Sequence, residues 1–166
     1  GISKANAAKE VDLSIDRLIY YAGWCDKFMQ MYSSVNPVSG SYFNFSIPES
    51  VGVVAVFAPQ KSGLLGLVTQ VATIIAGGNT CVVLASEQLA LCAVTFAEVL
   101  ATSDVSGGVV NILTGNQEEL LFQFASHKDV NTILYCGDDS EKIKSIQELS
   151  IENMKRVVIR EDSNYF

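Results

Sequence analysis

The sequence predicts an α/β fold, a doubly wound parallel sheet preceded by an N-terminal helix and an extended strand. Three observations predict it. From Val51 onward, short β-branched runs alternate with helix-like stretches, the pattern of right-handed βαβ crossovers. The runs are continuously apolar rather than alternating, as in parallel strands buried on both faces. Residues 51–110 hold only Lys61, Glu87, Glu98 and Asp104 as charged side chains, so this stretch is expected at the centre of the core.

The elements follow in order. Over Lys4 to Tyr32 the residues Val11, Ile15, Leu18, Ala22, Cys25, Met29 and Tyr32 recur every three or four positions and predict one helix with a single apolar stripe. Ser33 to Gly40 reads as a loop. Tyr42, Phe43, Phe45 and Ile47 suggest an extended strand that Pro48 stops. Strands are then expected at Val53–Phe57, Cys81–Leu84, Val109–Leu113, Thr132–Cys136 and Val157–Ile159. Helices are expected at Leu64–Ala76, Gln88–Ala101, Glu118–Ala125 and Glu141–Leu149. Gly77-Gly78 marks a helix stop, and Ser86 and Asp139-Ser140 are candidate N-caps. Two regions result, residues 1–50 with the helix and strand, and residues 51–166 with the sheet.

Composition narrows the function classes. The chain has 166 residues, 49% of them hydrophobic and 17% charged, with a formal net charge of −7 and a mean hydropathy of +0.28. One domain with a real core fits that length. So apolar a composition is incompatible with intrinsic disorder, and the apolar stretches are too short for a membrane span. The acidic balance argues against nucleic acid and anionic membranes as partners, which require clustered Lys/Arg. For a chain of this size it is unusually apolar, which points to missing neighbours. Cys25, Cys81, Cys92, Cys136 and the single His127 lack zinc-ligand spacing, so no metal is expected and the thiols read as reduced core residues. The chain opens without a basic-plus-apolar leader, and the expected location is the cytoplasm.

Ligands on doubly wound sheets bind outside the carboxyl ends of the strands, so the βα turns are the candidate site. Ala58 to Gly66 is neither GxGxxG nor GxxxxGK[ST]. Lys61 there is either a phosphate contact or a solvated loop lysine. Glu87 either accepts hydrogen bonds from ribose hydroxyls or stabilises a helix dipole. Thr114 to Glu119 and Cys136 to Ser140 each place two carboxylates at a helix N-terminus, worth ~0.3–1 kcal/mol apiece as dipole partners. They also stand where a pyrophosphate would bind. A phosphate beside Asp138 would meet ~4 kcal/mol of repulsion at 4 Å and an effective dielectric of 20. Capping explains these pairs better than a catalytic dyad, since nothing nearby is poised for acid–base work. His127 falls at a helix C-terminus, a structural position.

Taken together, these segments resemble the aldehyde dehydrogenase superfamily. Tyr20 to Lys27 resembles its Y-Y-A-G-W-A-D-K helix, and Val51 to Pro59 its P-V-G-V-V-G-V-I-A-P strand. Ala76 to Thr80 with Ser86-Glu87 resembles A-A-G-N-T-V-V-L-K-P-S-E. Gly107 to Gly115 is similar to P-G-V-V-N-V-V-T-G, and Ala125 to Val130 to A-S-H-P-D-V. The register holds to about Ile159. The resemblance implies the Rossmann-like NAD-binding half of a larger protein, preceded by the family's helix and part of its oligomerisation strand. It further implies NAD or NADP as the cofactor, if any, with Glu87, Gly115 and Gly137 as vestigial contacts. Implied partners are the other half or module of the parent protein and a possible homo-oligomer.

Several chemical positions depart from the family pattern. The W-N-F-P segment, whose Asn stabilises an oxyanion, falls on Gln60, Lys61, Ser62 and Gly63. The Lys of V-W-K falls on Gln70 and that of K-P-S-E on Leu84. After Thr114-Gly115 the glycine-rich T-G-F-G-P-T-A-G run continues here as Asn116 and Gln117 and, later, Leu121. F-T-G-S becomes Tyr135-Cys-Gly-Asp138, and the general-base Glu of L-E-L-G-G falls on Arg160. Cys136 takes the place of a family Thr and is not the catalytic Cys, which lies in the family's second half. These losses most resemble the degenerate second module of the two-module proteins called aldehyde dehydrogenase family 16. The expected function is therefore a pseudoenzyme module with a scaffold or assembly role and no catalytic residue of its own. The alternative is the cofactor-binding half of an active NAD(P)-dependent aldehyde dehydrogenase, completed outside this chain, with Lys61 as an unorthodox phosphate ligand. A phosphate- or nucleotide-sensing module on the same fold is a third class.

Overall fold

The computed structural model describes residues 2–162 and 165. Ser3 caps the first helix, α1 (Lys4–Cys25), by accepting from the N–H of Asn6 at 3.2 Å. The expected single helix over 4–32 is instead two. The Lys27 N–H bonds back to the Trp24 carbonyl at 3.0 Å, which tightens the last turn at Asp26, and a short α2 (Phe28–Tyr32) follows. Aromatic contacts fix the bend: Lys27 Nζ lies 5.3 Å from the Trp24 ring, and Phe28 and Tyr32 sit 5.1 Å apart. Only part of the apolar stripe docks α1, through Leu18, which packs against the core. Val11 and Ile15 remain 45% and 49% exposed, whereas the buried residues of this helix are Glu10 and Ser14.

Polar side chains hold α1 to the sheet domain. Glu10 Oε1 accepts from the N–H groups of Leu64 and Leu65, each at 3.1 Å, and Arg17 donates to Thr69 Oγ1 at 3.0 Å. Between α2 and the sheet, β1 (Ser34–Val35) pairs antiparallel with β2 (Phe45–Ser46). The loop expected over 33–40 thus contains a short strand, and the extended segment at 42–47 contributes two paired residues. Asn36 pins this hairpin by donating from Nδ2 to Asn44 Oδ1 and Ser46 Oγ, an interaction that no hydrophobic pattern signals.

The sheet matches the expected class. In chain order come β3 (Val53–Phe57), α3 (Leu65–Ala76), β4 (Thr80–Leu84), α4 (Ala90–Ala101), β5 (Val110–Leu113) and α5 (Gln117–Ser126). They are followed by β6 (Thr132–Cys136), α6 (Ser140–Ser150) and β7 (Arg156–Arg160). The strands are parallel in the order β5-β4-β3-β6-β7. Chain direction across the sheet reverses between β3 and β6, so the topological switch point lies there. Gly77 and Gly78 end α3, Gly78 adopting φ +76°, and Asp139 caps α6 by accepting from Glu141 and Lys142 N–H groups. Ser86 does not cap α4, which starts later at Ala90; it bridges turns instead, as described below.

Alternation along the central strands builds two core layers. Val54, Val56 and Ala58 face Leu67, Val68, Val71, Ala93 and Phe96 on the α3–α4 side, where Leu18 of α1 also packs. Ala55 and Phe57 face Leu121, Phe124, Ala125 and Ile146 on the α5–α6 side. β5 and β7 were expected to be buried on both faces, but they are edge strands. Asn111, Leu113, Arg156, Val158 and Ile159 are exposed because, among the described residues, no further strand pairs with either edge.

Replacing Glu10 removes the acceptor shared by α1 and α3. Glu10→Ala is expected to lower unfolding stability by ~2 kcal/mol, the range for stranding donors of a charge-assisted bond. Urea denaturation measures this, and an unchanged midpoint would show that α1 docks through its apolar residues.

Candidate functional site at the carboxyl ends of the strands

The four βα turns and the segment after β7 meet at one edge of the sheet, and hydrogen bonds tie them to one another. The turn after β3 is the hub. Gln60 accepts at its carbonyl from Ser86 Oγ at 3.1 Å and at Oε1 from the Glu87 N–H at 3.0 Å, which joins it to the turn after β4. Its Nε2 returns to the Ala58 carbonyl at 3.0 Å. On the other side, Asp162 beyond β7 accepts at Oδ2 from the N–H groups of Gln60 and Lys61, both at 3.2 Å. Lys61 Nζ donates to the Asp162 carbonyl, also at 3.2 Å.

Each sequence-predicted candidate has a definite place. Glu87 Oε1 accepts from the N–H of Gln117, the first residue of α5, at 2.6 Å. The carboxylate expected at a ribose, or else in the first turn of its own helix, lies ahead of α4 and is joined instead to the N-terminus of the neighbouring α5. Gln117 Oε1 accepts from Lys142 Nζ at 3.0 Å and so links α5 to α6. Gly115 is not crowded by the sheet; a Cβ there would approach Leu120 Cδ1 at 3.3 Å. Gly137 lies beneath the Tyr135 ring, and a Cβ on it would meet ring atoms at 2.8–2.9 Å. The space above Gly137 is thus filled by a neighbouring side chain. Lys61 is drawn to the Asp162 carbonyl rather than standing free in its loop.

Carboxylates and amides satisfy the helix N-termini. Asn116 Oδ1 accepts from Glu118 and Glu119 N–H groups on α5, Asp139 does the same on α6, and Glu10 serves α3. These groups use the backbone donors that anions otherwise occupy at helix ends. The electrostatics agree. Burial raises the Tyr135 hydroxyl pKa, and the carboxylates of Asp139, Asp138 and Asp162 raise it further. Burial also pushes the Cys136 thiol up to about 11, partly offset by Arg160, and Cys81 likewise to about 11. Neither is poised as a nucleophile near neutral pH. Tyr165 joins the cluster by accepting from Gln70 Nε2 at 3.2 Å, and its own hydroxyl is pushed up to about 12, chiefly by burial.

His127 is the C-cap of α5; its Nδ1 accepts from Asp129 N–H, and its carbonyl accepts from Lys155 Nζ. Burial lowers the Lys155 pKa. Among the described residues no group of three or more His, Cys, Asp or Glu could hold a metal ion. No helix among them is long and apolar enough to cross a membrane. Sequence reasoning missed Gln60, Gln117, Asp162 and Glu10 as turn-binding residues. Their turn-to-turn partners lie 25 to 102 residues away, beyond the reach of local pattern.

Comparison with known proteins gives one family. A model described as the aldehyde dehydrogenase family matches residues 1–163. Retinal dehydrogenase 2 of Gallus gallus is 36% identical over 152 residues, covering 90% of this chain and 29% of that protein. The mitochondrial aldehyde dehydrogenase of Sus scrofa is 31% identical over 152 residues, covering 90% of this chain and 28% of its own. An aldehyde dehydrogenase of Bacillus cereus, solved as its NAD+ complex, superposes with a TM-score of 0.84 at 26% identity. It covers 92% of this chain, which in turn covers 30% of it. The chain therefore spans about three-tenths of the length of these relatives.

Thiol accessibility tests the buried cluster. At pH 8 a thiol-specific reagent is expected to modify the exposed Cys25 and Cys92 quickly and the buried Cys81 and Cys136 only on unfolding. With a pKa of about 11, Cys136 is ~0.1% thiolate at pH 8, and its reaction accelerates as pH rises. Mass spectrometry showing rapid labelling of Cys136 at pH 8 would contradict the packing around it.

Proposed function

The chain belongs to the aldehyde dehydrogenase family, and from that premise we propose that it is a non-catalytic module of the NAD-binding type that serves assembly. One observation carries this reading. The donors at the carboxyl edge of the sheet, which a dinucleotide would use, are engaged by the chain's own acceptors. NAD or NADP does not fit such a site well. Its pyrophosphate would have to displace Asp139 or Asn116 from a helix N-terminus and then lie beside Asp138, at a cost of several kcal/mol (~4 at 4 Å). Its ribose would compete with the Gln117 N–H for Glu87, and the Tyr135 ring covers Gly137. No catalytic residue is assigned. Arg160 stands where the resemblance places the general base.

The assembly role rests on apolar surface. A groove of about 570 Å³ between α1, α3 and α4 is lined by Val11, Ile15, Leu64, Val68, Leu91 and Phe96. The β1–β2 hairpin exposes Val35 and Phe45, and Tyr42 and Phe43 beside it are 79% and 74% exposed. Such patches mark interfaces. We assign them to the remainder of a longer protein and to a second copy of the chain, with the boundary between residues 1–50 and 51–166 kept as the domain division. The pattern of replaced positions suits the degenerate second module of aldehyde dehydrogenase family 16. Four free thiols, two of them exposed, suit a reducing cytoplasm.

Likeness to a Bacillus cereus enzyme solved with NAD+ favours a second reading, the cofactor-binding half of an active NAD(P)-dependent dehydrogenase. Calorimetric titration of NAD+ and NADP+ into the chain separates the two. The non-catalytic module is expected to give no saturable heat up to about 1 mM, weaker than ~ −4 kcal/mol. A Kd below roughly 50 μM, or ~ −6 kcal/mol, would overturn it.

A further inference from the structure

Away from the crevice, and independent of what fills it, we propose that the aromatic cleft between the C-terminal ends of α1 and α3 binds a small organic cation of the quaternary ammonium class. Five rings, those of Tyr20, Tyr21, Trp24, Phe28 and Tyr32, line a cavity of about 300 Å³, at the lower end of the range for small-ligand sites. Tyr20 meets Tyr21 edge-on at 5.2 Å and Trp24 at 6.3 Å, while Tyr32 stands 6.5 Å from Trp24 and 5.1 Å from Phe28. Tyr20 and Tyr32 are 57% and 61% exposed, so the cleft opens to solvent. The negative face of an aromatic ring attracts a cation within about 6 Å of its centroid. That attraction is already realised once at this place, where Lys27 Nζ lies 5.3 Å from the Trp24 ring. Lys27 itself does not line the cavity.

Backbone electrostatics point to the same ligand. Glu10 meets Leu64 and Leu65 at the start of α3, Arg17 meets Thr69, and Tyr21 and Trp24 share the cleft with Thr73 and Gly77. The two helices therefore run side by side in the same direction and end together. Each end carries roughly half a negative charge, and neither last turn contains a basic residue. Rings and helix ends thus favour positive charge and oppose an anion. The lining also selects among cations. It includes no carboxylate, and the Thr73 hydroxyl already donates to the Thr69 carbonyl. A primary ammonium or guanidinium brings N–H donors that need acceptors once desolvated. A quaternary ammonium has none to satisfy and packs its methyl groups against the rings.

Trp24 is the single tryptophan of the chain, so its fluorescence reports on the cleft. The whole chain is titrated at constant ionic strength with tetramethylammonium chloride, with ammonium chloride as an N–H-bearing cation and tert-butanol as an uncharged probe of similar shape. Tetramethylammonium is expected to change the Trp24 emission saturably, and to bind at least about fivefold more tightly than either control. Tyr32→Leu and Phe28→Leu, which keep apolar bulk but lose a ring, are expected to weaken it at least about threefold. Tyr32→Phe keeps the ring and is expected to retain wild-type affinity. Lys27→Gln removes a like charge beside the cleft and is expected to bind at least as tightly as the wild type. These last two variants, both at exposed positions, decide the matter if circular dichroism shows that a leucine variant does not fold. No saturable change in the wild type, tert-butanol or ammonium binding as tightly as tetramethylammonium, full affinity in a folded Tyr32→Leu, or loss of binding in Tyr32→Phe or Lys27→Gln would each overturn the cation site.

Discussion

Burial of β3 on both faces is the constraint from which the rest of the molecule follows. Val54 and Val56 must be covered on one side and Ala55 and Phe57 on the other, so helices are needed on both faces of the sheet. Right-handed crossovers then send α3 and α4 to one face and α5 and α6 to the other. The chain has to reverse direction beside β3, and that reversal opens the crevice at its carboxyl end. The functional question of this fold is therefore set by apolar packing before any polar residue enters. What fills the crevice is decided by the turns.

Those turns face a second constraint, the unsatisfied N–H groups that every helix presents. An enzyme of dinucleotide-binding type leaves some of them for its ligand. Here Glu10, Asn116 and Asp139 take them, while Gln60, Glu87 and Asp162 connect one turn to the next. Glu10 does two things with one carboxylate, since it caps α3 and fastens α1 beside it. Each such bond contributes only ~1–3 kcal/mol, but their connection makes displacement of any one turn felt at the others. A ligand entering this edge has to break several at once.

The fold was largely legible in the sequence because it rests on local periodicity. β3 and β6 fall where their apolar runs place them, and the other sheet elements shift by no more than two residues. The failures have physical causes. Helix periodicity over 4–32 says nothing of the i→i+3 bond at Lys27 that breaks it, and an apolar stripe does not reveal that Glu10 and Arg17 dock the helix. Edge strands resemble central ones in sequence, since β-branched runs do not record whether a neighbour exists. The site was half legible. Glu87 and the acidic pairs were readable as helix-end groups, whereas the Asp162–Gln60 contact joins residues 102 apart and emerges only when β7 pairs beside β6.

The apolar excess of the composition is also explained by position. It is concentrated on one flank. On the α5–α6 side most outward residues are charged, with Glu118, Glu119, Glu141, Lys144 and Glu148 exposed and Lys144 and Glu148 3.8 Å apart, although Phe122 is exposed there too. On the α1–α4 side, Leu91 is 84% exposed and Val99 56%, and the groove beside them is lined mostly by hydrocarbon. Isolated exposed apolar residues are ordinary on any protein; a contiguous groove on one face, opposite a charged one, is not. The two helical layers thus cover the same sheet with unlike outer faces, richer in charge on α5 and α6 and more apolar on α1 and α4. The carboxyl edge is thus laced by the chain's own polar groups, while a contiguous apolar groove lies on the α1–α4 flank.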